Sequence, residues 1–334
     1  MFLFSGSREK IMHEARTGQG TDTALRGLNH IHGAEYLIAS HGLLQSLFLI
    51  PRLLQYDVVI AQDELFIGYV VSTCARICRL QTRWIYVAMN ASTLIRRHAA
   101  HPVRPFLLKR FWSSYARIVC INSEQIEDFV RLGIKRPHLV FIPFGVDAQF
   151  FQPTDTSREE ALIVSVGRDT GRDYTTLFGA AERVPQNFIV VAAQKNIPHD
   201  MTVPANVTVL YERSYTEMRS LFERARLVVI PSKDTQIPEG SDCSGQTVIL
   251  EALAAGKAVI ATHRSWITDY LVPEEDLVVV PPHNPEALAR AINSLWGDTE
   301  RRKRLAESGR AKVVERYTTE HFAKALQALM DSLT

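Results

Sequence analysis

Glu251 stands in the middle of an apolar run, with Val248, Ile249 and Leu250 before it and Ala252, Leu253, Ala254 and Ala255 after it. The run reads as a short helix from about Ser244 or Gly245 to Ala255. Ser244 is a capping residue by type, and Gly256 supplies the stop. The first N–H groups of a helix have no intrahelical acceptor, so they are suited to phosphate oxygens. Here they belong to Gly245, Gln246 and Thr247, and Gly245 has no side chain to obstruct a ligand. Thr247 and Glu251 are four apart and share one face. With a phosphate at the helix start, Glu251 lies one turn further in, where it can accept hydrogen bonds from the two hydroxyls of a ribose. A solvated helix position is the plain alternative. The flanking residues argue for burial, however, and a buried carboxylate needs a partner and tends to mark a site. Glu239 and Asp242 crowd the approach to this helix. They either complement the helix dipole or grip the ligand beyond its phosphates.

Alternating strands and helices would hold these residues. Candidate strands span 33–40, 56–62, 83–89, 117–122, 138–144, 161–167, 188–193, 207–212, 227–232 and 257–262. Several are continuous Val/Ile/Leu runs, as in parallel strands covered on both faces. Helical patterns lie between them, for example at 123–134, 174–184 and 215–225. Such alternation predicts an α/β fold with right-handed crossovers. Proline, aspartates and polar residues interrupt it over 144–160, after which the series begins again. This predicts two Rossmann-like, doubly wound domains, with ligands at the carboxyl ends of the strands. The expected division is 1–150, 151–316 and a C-terminal helix, 317–334, that packs back on the first domain.

Composition narrows the class. Hydrophobic residues make up 46% and charged residues 22% of 334, which fits an ordinary globular chain. A formal net charge of +2 favours neither nucleic acid nor a strongly acidic substrate. Cys74, Cys78, Cys120 and Cys243 are scattered; the first two, at i and i+4 without a second pair, read as core thiols. That usage suits a reducing, cytoplasmic setting. The opening Met-Phe-Leu-Phe is too short for a signal sequence, and no apolar run reaches membrane-span length. The eleven histidines lack ligand spacing and no Asp-x-Asp occurs, so no metal is expected.

The segment from Leu227 to Thr262 resembles the signature of the group 1 family of retaining glycosyltransferases, which have the GT-B fold of two Rossmann-like domains facing a central cleft. Pro231, Ser232, Leu250, Glu251, Ala252, Leu253, Ala254, Gly256, Val259, Ile260 and Ala261 fit that pattern. In the family the glutamate at the place of Glu251 holds the donor ribose. A first glutamate stands eight residues earlier, and that place is Cys243 here, within a variant Cys-Ser-Gly-Gln form. The grip on the transferred sugar then falls to Asp242, Glu239 or backbone groups. The end of the first half, 119–153, also resembles the family, with Phe144 where asparagine is usual. Gly167 and Arg168 match the family's diphosphate-binding Gly-Arg, and Arg172 takes the place of its lysine if the loop is one residue shorter. Two guanidiniums on one loop pair well with a diphosphate. The bland alternative for Arg172 is a surface pair with Asp169 or Asp173.

The resemblance implies transfer of a sugar from a UDP- or GDP-linked donor to a hydroxyl acceptor with retention, without metal or other cofactor. Arg168, Arg172 and Asp242 would be the catalytic groups. Gly18 and Gly20 precede a helix expected from Thr21–Asp22, where the family places a glycine-rich loop; a lone Gly-x-Gly is often only a turn. Asn90 lies where many members keep a histidine near the sugar, and capping is an equal reading. Two stretches bear on the acceptor: 43–55, rich in leucine, and 95–112, mixing basic and aromatic residues. They suit peripheral membrane contact or, more simply, a core helix and a solvated face. A nucleotide-sugar epimerase, a phosphorylase and a non-catalytic partner subunit remain open on the same fold. A dehydrogenase is the least favoured reading, since no strand leads into a well-placed Gly-x-Gly-x-x-Gly.

Overall fold

Short Val/Ile/Leu runs covered on both faces make parallel sheets, and two six-stranded parallel sheets carry the architecture. The computed structural model describes residues 2–5, 9–17, 19–39, 50–53, 55–62, 82–153, 159–234, 237 and 239–333. Contacts divide the chain into one unit of 1–18, 22–144 and 319–334 and a second of 19–21 and 145–318. Gly18, Cys74, Cys78 and 43–49 of the leucine-rich stretch lie outside the described residues.

In the first unit the strands are β1 Phe2–Ser5, β2 Tyr36–Ala39, β3 Val58–Gln62, β4 Arg83–Ala88, β5 Arg117–Cys120 and β6 Leu139–Phe141, in the order β2-β1-β3-β4-β5-β6. An aromatic cluster fills one face of this sheet: Tyr86, Phe111, Trp112, Tyr115 and Phe129 are all buried. Trp112 meets Phe129 edge-on, with ring centroids 4.9 Å apart, the geometry that sets a ring's positive edge against a negative face. The helix Ser123–Leu132 starts at Asn122, whose side chain accepts from Gln125 N at 2.7 Å, and stops at Gly133 with φ 93°. The C-terminal helix Thr319–Asp331 belongs to this unit. Its Phe322 lies 5.4 Å from Phe144, so the phenylalanine in the usual asparagine place is a core residue.

The second unit holds β7 Leu162–Gly167, β8 Asn187–Ala192, β9 Val207–Tyr211, β10 Leu227–Ile230, β11 Val259–Thr262 and β12 Val278–Val280. Their order, β12-β11-β10-β7-β8-β9, is that of a doubly wound sheet whose direction of growth reverses between β7 and β10. Asp173 caps the helix Tyr174–Ala181 by accepting from Thr176 N at 3.0 Å. Ser214 and Glu217 form a reciprocal capping box on Tyr215–Arg224.

The differences from the sequence reading have local causes. β1 and β12, of four and three residues, are absent from the expected strands. No α-helix begins at Thr21–Asp22; a 3-10 turn, Asp22–Leu25, takes its place. The interrupted stretch after Phe144 is anchored rather than loose. Val146 N donates to Tyr317 O at 2.8 Å, and the buried Phe151 lies 6.0 Å from Phe222. The C-terminal helix starts at Thr319 rather than 317, parted from Thr299–Arg316 where Val146 bridges Thr318.

Candidate active site

The reversal between β7 and β10 splays the crossovers apart at the carboxyl ends of these strands, which opens a crevice there. A cavity of about 250 Å³ occupies this place. Its walls include Gly167, Arg168 and Asp169 after β7, Arg172, the loop residues Ser241 and Cys243, and Gly245, Thr247, Val248 and Glu251 of the next helix; Tyr215 and Met218 close it.

That helix is Gln246–Ala254. Gly245, at φ 95°, occupies the cap position in the left-handed region, and Ser244 does not cap. The Ser244 hydroxyl is instead buried with no hydrogen-bond partner. A side chain at 245 would lie 2.8 Å from Arg172 Nη1, so glycine is required both by φ and by space. The Gln246 amide donates to Cys243 O at 3.0 Å and is occupied. The amides of Gly245, Thr247 and Val248 take no partner among the described residues. The open set thus keeps the expected Gly245 and Thr247 and has Val248 in place of Gln246. At its far end the helix closes as anticipated, with Gly256 at φ 70°, Lys257 N donating to Ala252 O at 3.1 Å and Gly256 N to Leu253 O at 2.9 Å.

Glu251 is 1% exposed and lines the cavity. Its Oε1 has no hydrogen-bond partner. Burial pushes its pKa up to about 8; Asp147 adds to the rise, and Arg168 opposes it. Arg172 is also buried, not on the surface, and ion-pairs with neither Asp169 nor Asp173. Burial holds its pKa below the usual arginine value, though a guanidinium stays charged. Arg172 Nη1 donates to Ser232 Oγ at 3.3 Å while Nε has no partner. A side chain at Gly167 would sit 1.9 Å from that Nε. The guanidinium is therefore threaded between Gly167 and Gly245. Arg168 is exposed at the rim.

Buried polar atoms are almost always hydrogen-bonded. Arg172 Nε and Glu251 Oε1, both on residues of the cavity wall, are exceptions, as are Ser244 Oγ and Gln246 Nε2 at the start of the helix that lines it. The wall therefore presents cationic and amide donors toward one part of the cavity and a lone acceptor toward another. Such a surface is chemically suited to a phosphate ester that carries vicinal hydroxyls.

The remaining predicted residues do not all converge here. Glu239 is exposed, pairs with Lys233 and faces a different depression. Asp242 is buried but is not part of the cavity wall; its carbonyl accepts from Arg264 Nη2 at 2.9 Å. Cys243 occupies that wall in the place of the expected glutamate. Gly20, grouped with the second unit, is buried in a bend, and in the first unit Asn90 caps Ala91–His98 by position without a side-chain cap bond.

Asp169 does work that the sequence reading does not assign to it. Its Oδ1 accepts from Gly171 N at 2.8 Å and its Oδ2 from Ser241 N at 3.0 Å, which staples the arginine loop to the loop before the helix. Gly240, at φ 79°, fits against it, since a side chain there would lie 2.3 Å from Oδ1. The Asp-x-Gly spacing is a turn signal that points to this role. Arg264 pins the second loop from behind, donating to Lys233 O at 2.8 Å as well as to Asp242. Nothing in its local sequence announces that.

Residues 148–312 match the model of the family described as glycosyl transferases group 1. The match covers just under half of the chain. The chain is 21% identical over 257 residues to a GDP-mannose-dependent alpha-(1-6)-phosphatidylinositol dimannoside mannosyltransferase of Mycobacterium tuberculosis, covering 73% of this chain and 65% of that protein. It is 25% identical over 249 residues to O-antigen chain mannosyltransferase C of Escherichia coli, covering 68% and 63%. The chain thus spans slightly under two thirds of the length of these curated relatives. Among solved structures, Anabaena Alr3699/HepE in complex with UDP-glucose superposes with a TM-score of 0.75 at 14% identity, covering 99% of each chain. Sucrose-phosphate synthase of Thermosynechococcus elongatus gives 0.65 at 19% identity, covering 90% and 81%. The fold of the chain is GT-B.

Proposed function

We propose that this chain transfers a sugar from a nucleoside-diphosphate donor to a hydroxyl acceptor, with retention at the anomeric carbon. One observation carries the reading: the buried, unpartnered Glu251 carboxyl stands one turn along the helix whose open amides and neighbouring Arg172 supply donors. In this arrangement Glu251 accepts from the donor ribose. The Thr247 and Val248 amides, Arg172 and Arg168 take the diphosphate. As the bond to the sugar breaks, charge accumulates on the departing diphosphate, and preorganised donors stabilise it without reorganising. The acceptor enters on the leaving-group side, so no protein nucleophile is needed.

The named activities of the relatives and the UDP-glucose held by Alr3699/HepE support the donor class. They leave base, sugar and acceptor as questions for a donor panel. Purified protein incubated with UDP- and GDP-sugars should release nucleoside diphosphate from one of them, and Glu251→Ala should abolish the response. No binding or release with any nucleotide sugar would end this reading. Cys243 on the cavity wall favours a second reading, a subunit that keeps donor binding without turnover; nucleotide binding without transfer, hydrolysis or epimerisation would select it.

A further inference from the structure

The helix Arg104–Trp112 in the first unit is apolar on two faces, and the sheet uses only one. At 100° per residue, Leu108, Phe111 and Trp112 share the inward side. Phe111 and Trp112 are buried in the aromatic cluster and Leu108 packs against it. Phe106 lies on the opposite side, between Lys109 and Arg110, with Leu107 at its margin. Phe106 is 65% exposed, Leu107 54% and Val103, just before the helix, 52%. Isolated exposed apolar side chains are ordinary. Three within five residues, on the face a folded helix normally gives to polar groups, are not.

Along this stretch of the sequence the charges have one sign. From Leu65 to Ser123 the chain has no aspartate or glutamate, while arginine and lysine recur, among them Arg97, Arg104, Lys109 and Arg110. Lys109 and Arg110 are exposed and flank Phe106 on this helix. An aromatic and an aliphatic side chain bracketed by cations on a convex helix face match an interfacial anchor. Its apolar residues enter the acyl boundary, and its cations meet anionic headgroups.

We propose that Val103 and the outward face of Arg104–Trp112 dock this unit on an anionic lipid surface, with Phe106 and Leu107 inserted and Lys109 and Arg110 at the headgroups. The charge pattern selects an anionic bilayer over a neutral one, and the short helix predicts peripheral, reversible docking. Among the described residues no helix is long and apolar enough to cross a membrane. The proposal does not depend on the donor site.

The test is co-sedimentation of the full chain with phosphatidylcholine vesicles, with and without about one third phosphatidylglycerol. Binding should need the anionic lipid and weaken as salt rises. Replacing Phe106 and Leu107 together by serine should reduce partitioning by roughly 30-fold or more, and removing one of Lys109 or Arg110 by roughly five-fold. These positions are exposed, so thermal unfolding of the variants should be unchanged, which separates lost docking from lost folding. Equal binding to neutral vesicles, no binding, or a serine variant that binds like the parent would overturn the proposal. So would a solution dimer that the serine variant dissolves, since a second copy of the chain would then cover this face.

Discussion

Nucleotide binding should expel a proton, and Glu251 sets how much. Its carboxyl, with a folded-state pKa of about 8, is about nine-tenths protonated near pH 7. Ribose hydroxyls placed to donate to it favour the ionised form and pull the pKa back toward the ordinary carboxylate range. Close to one proton should then leave per nucleotide bound near pH 7. Because the free-state pKa lies above the bound-state one, affinity should rise with pH, by at most about ten-fold per pH unit, and level off above about pH 8. Calorimetric titration with UDP and GDP in buffers of different ionisation enthalpy reads this release directly. Glu251→Gln should bind more weakly and release no proton. The same residue makes a separate prediction about the unliganded protein. A carboxyl whose folded pKa is raised contributes stability below its unfolded pKa of about 4.5 and loses it as pH rises through about 8. Glu251→Gln should therefore match the parent near pH 4.5 and exceed it by about 3 kcal/mol at pH 7, approaching an upper limit of about 5 kcal/mol above pH 8, since each pH unit between the two pKa values is worth about 1.36 kcal/mol. A stability gap that stays flat from about pH 5 to 9, or a parent protein that releases no proton on binding, would refute the reasoning that Glu251 is buried without a partner and meets the ribose.

Three further perturbations test the framework around that carboxyl. Gly167→Ala would place a carbon 1.9 Å from Arg172 Nε; displacing the guanidinium should weaken nucleotide binding at least about ten-fold, since charge-assisted bonds contribute roughly 1.5–3 kcal/mol each, and calorimetry checks this. Asp169→Ala removes acceptors from Gly171 N and Ser241 N. Freed from this staple, the two loops should lower kcat/KM by about ten- to a hundred-fold, in line with small misplacements at an active site, while Asp169→Asn, which keeps one acceptor, should recover part of it. Asp276, fully buried, accepts from Val272 N at 2.7 Å and Ser308 Oγ at 2.8 Å and pairs with Lys312. Asp276→Ala strands these groups and should cost about 3–5 kcal/mol of stability, read by denaturant unfolding with the donor site chemically intact.

The sequence made much of this legible because the relevant signals are local. Continuous Val/Ile/Leu runs announce covered parallel strands, and Gly256 announces a helix stop whatever surrounds it. A carboxylate among Val248–Leu250 and Ala252–Ala255 announces burial, which the 1% exposure of Glu251 bears out. The less legible parts depend on contacts between distant residues. Arg172 could be read as a surface cation because its burial is produced by Gly245 and Ser232, some sixty to seventy positions away. Glu239 and Asp242 share a charge and a neighbourhood with the site, yet Lys233 turns one away and Arg264 fixes the backbone of the other. The shift of the helix cap from Ser244 to Gly245 likewise follows from a left-handed φ that residue type alone does not impose.

The account stands most directly on where a nucleotide sits. A crystal structure with UDP or GDP should place both ribose hydroxyls within hydrogen-bonding distance, about 2.6–3.0 Å, of the Glu251 carboxylate, and the diphosphate against the Thr247 and Val248 amides and Arg172. A nucleotide bound elsewhere in the protein, or bound in this cavity with Glu251 still unpartnered, would contradict it.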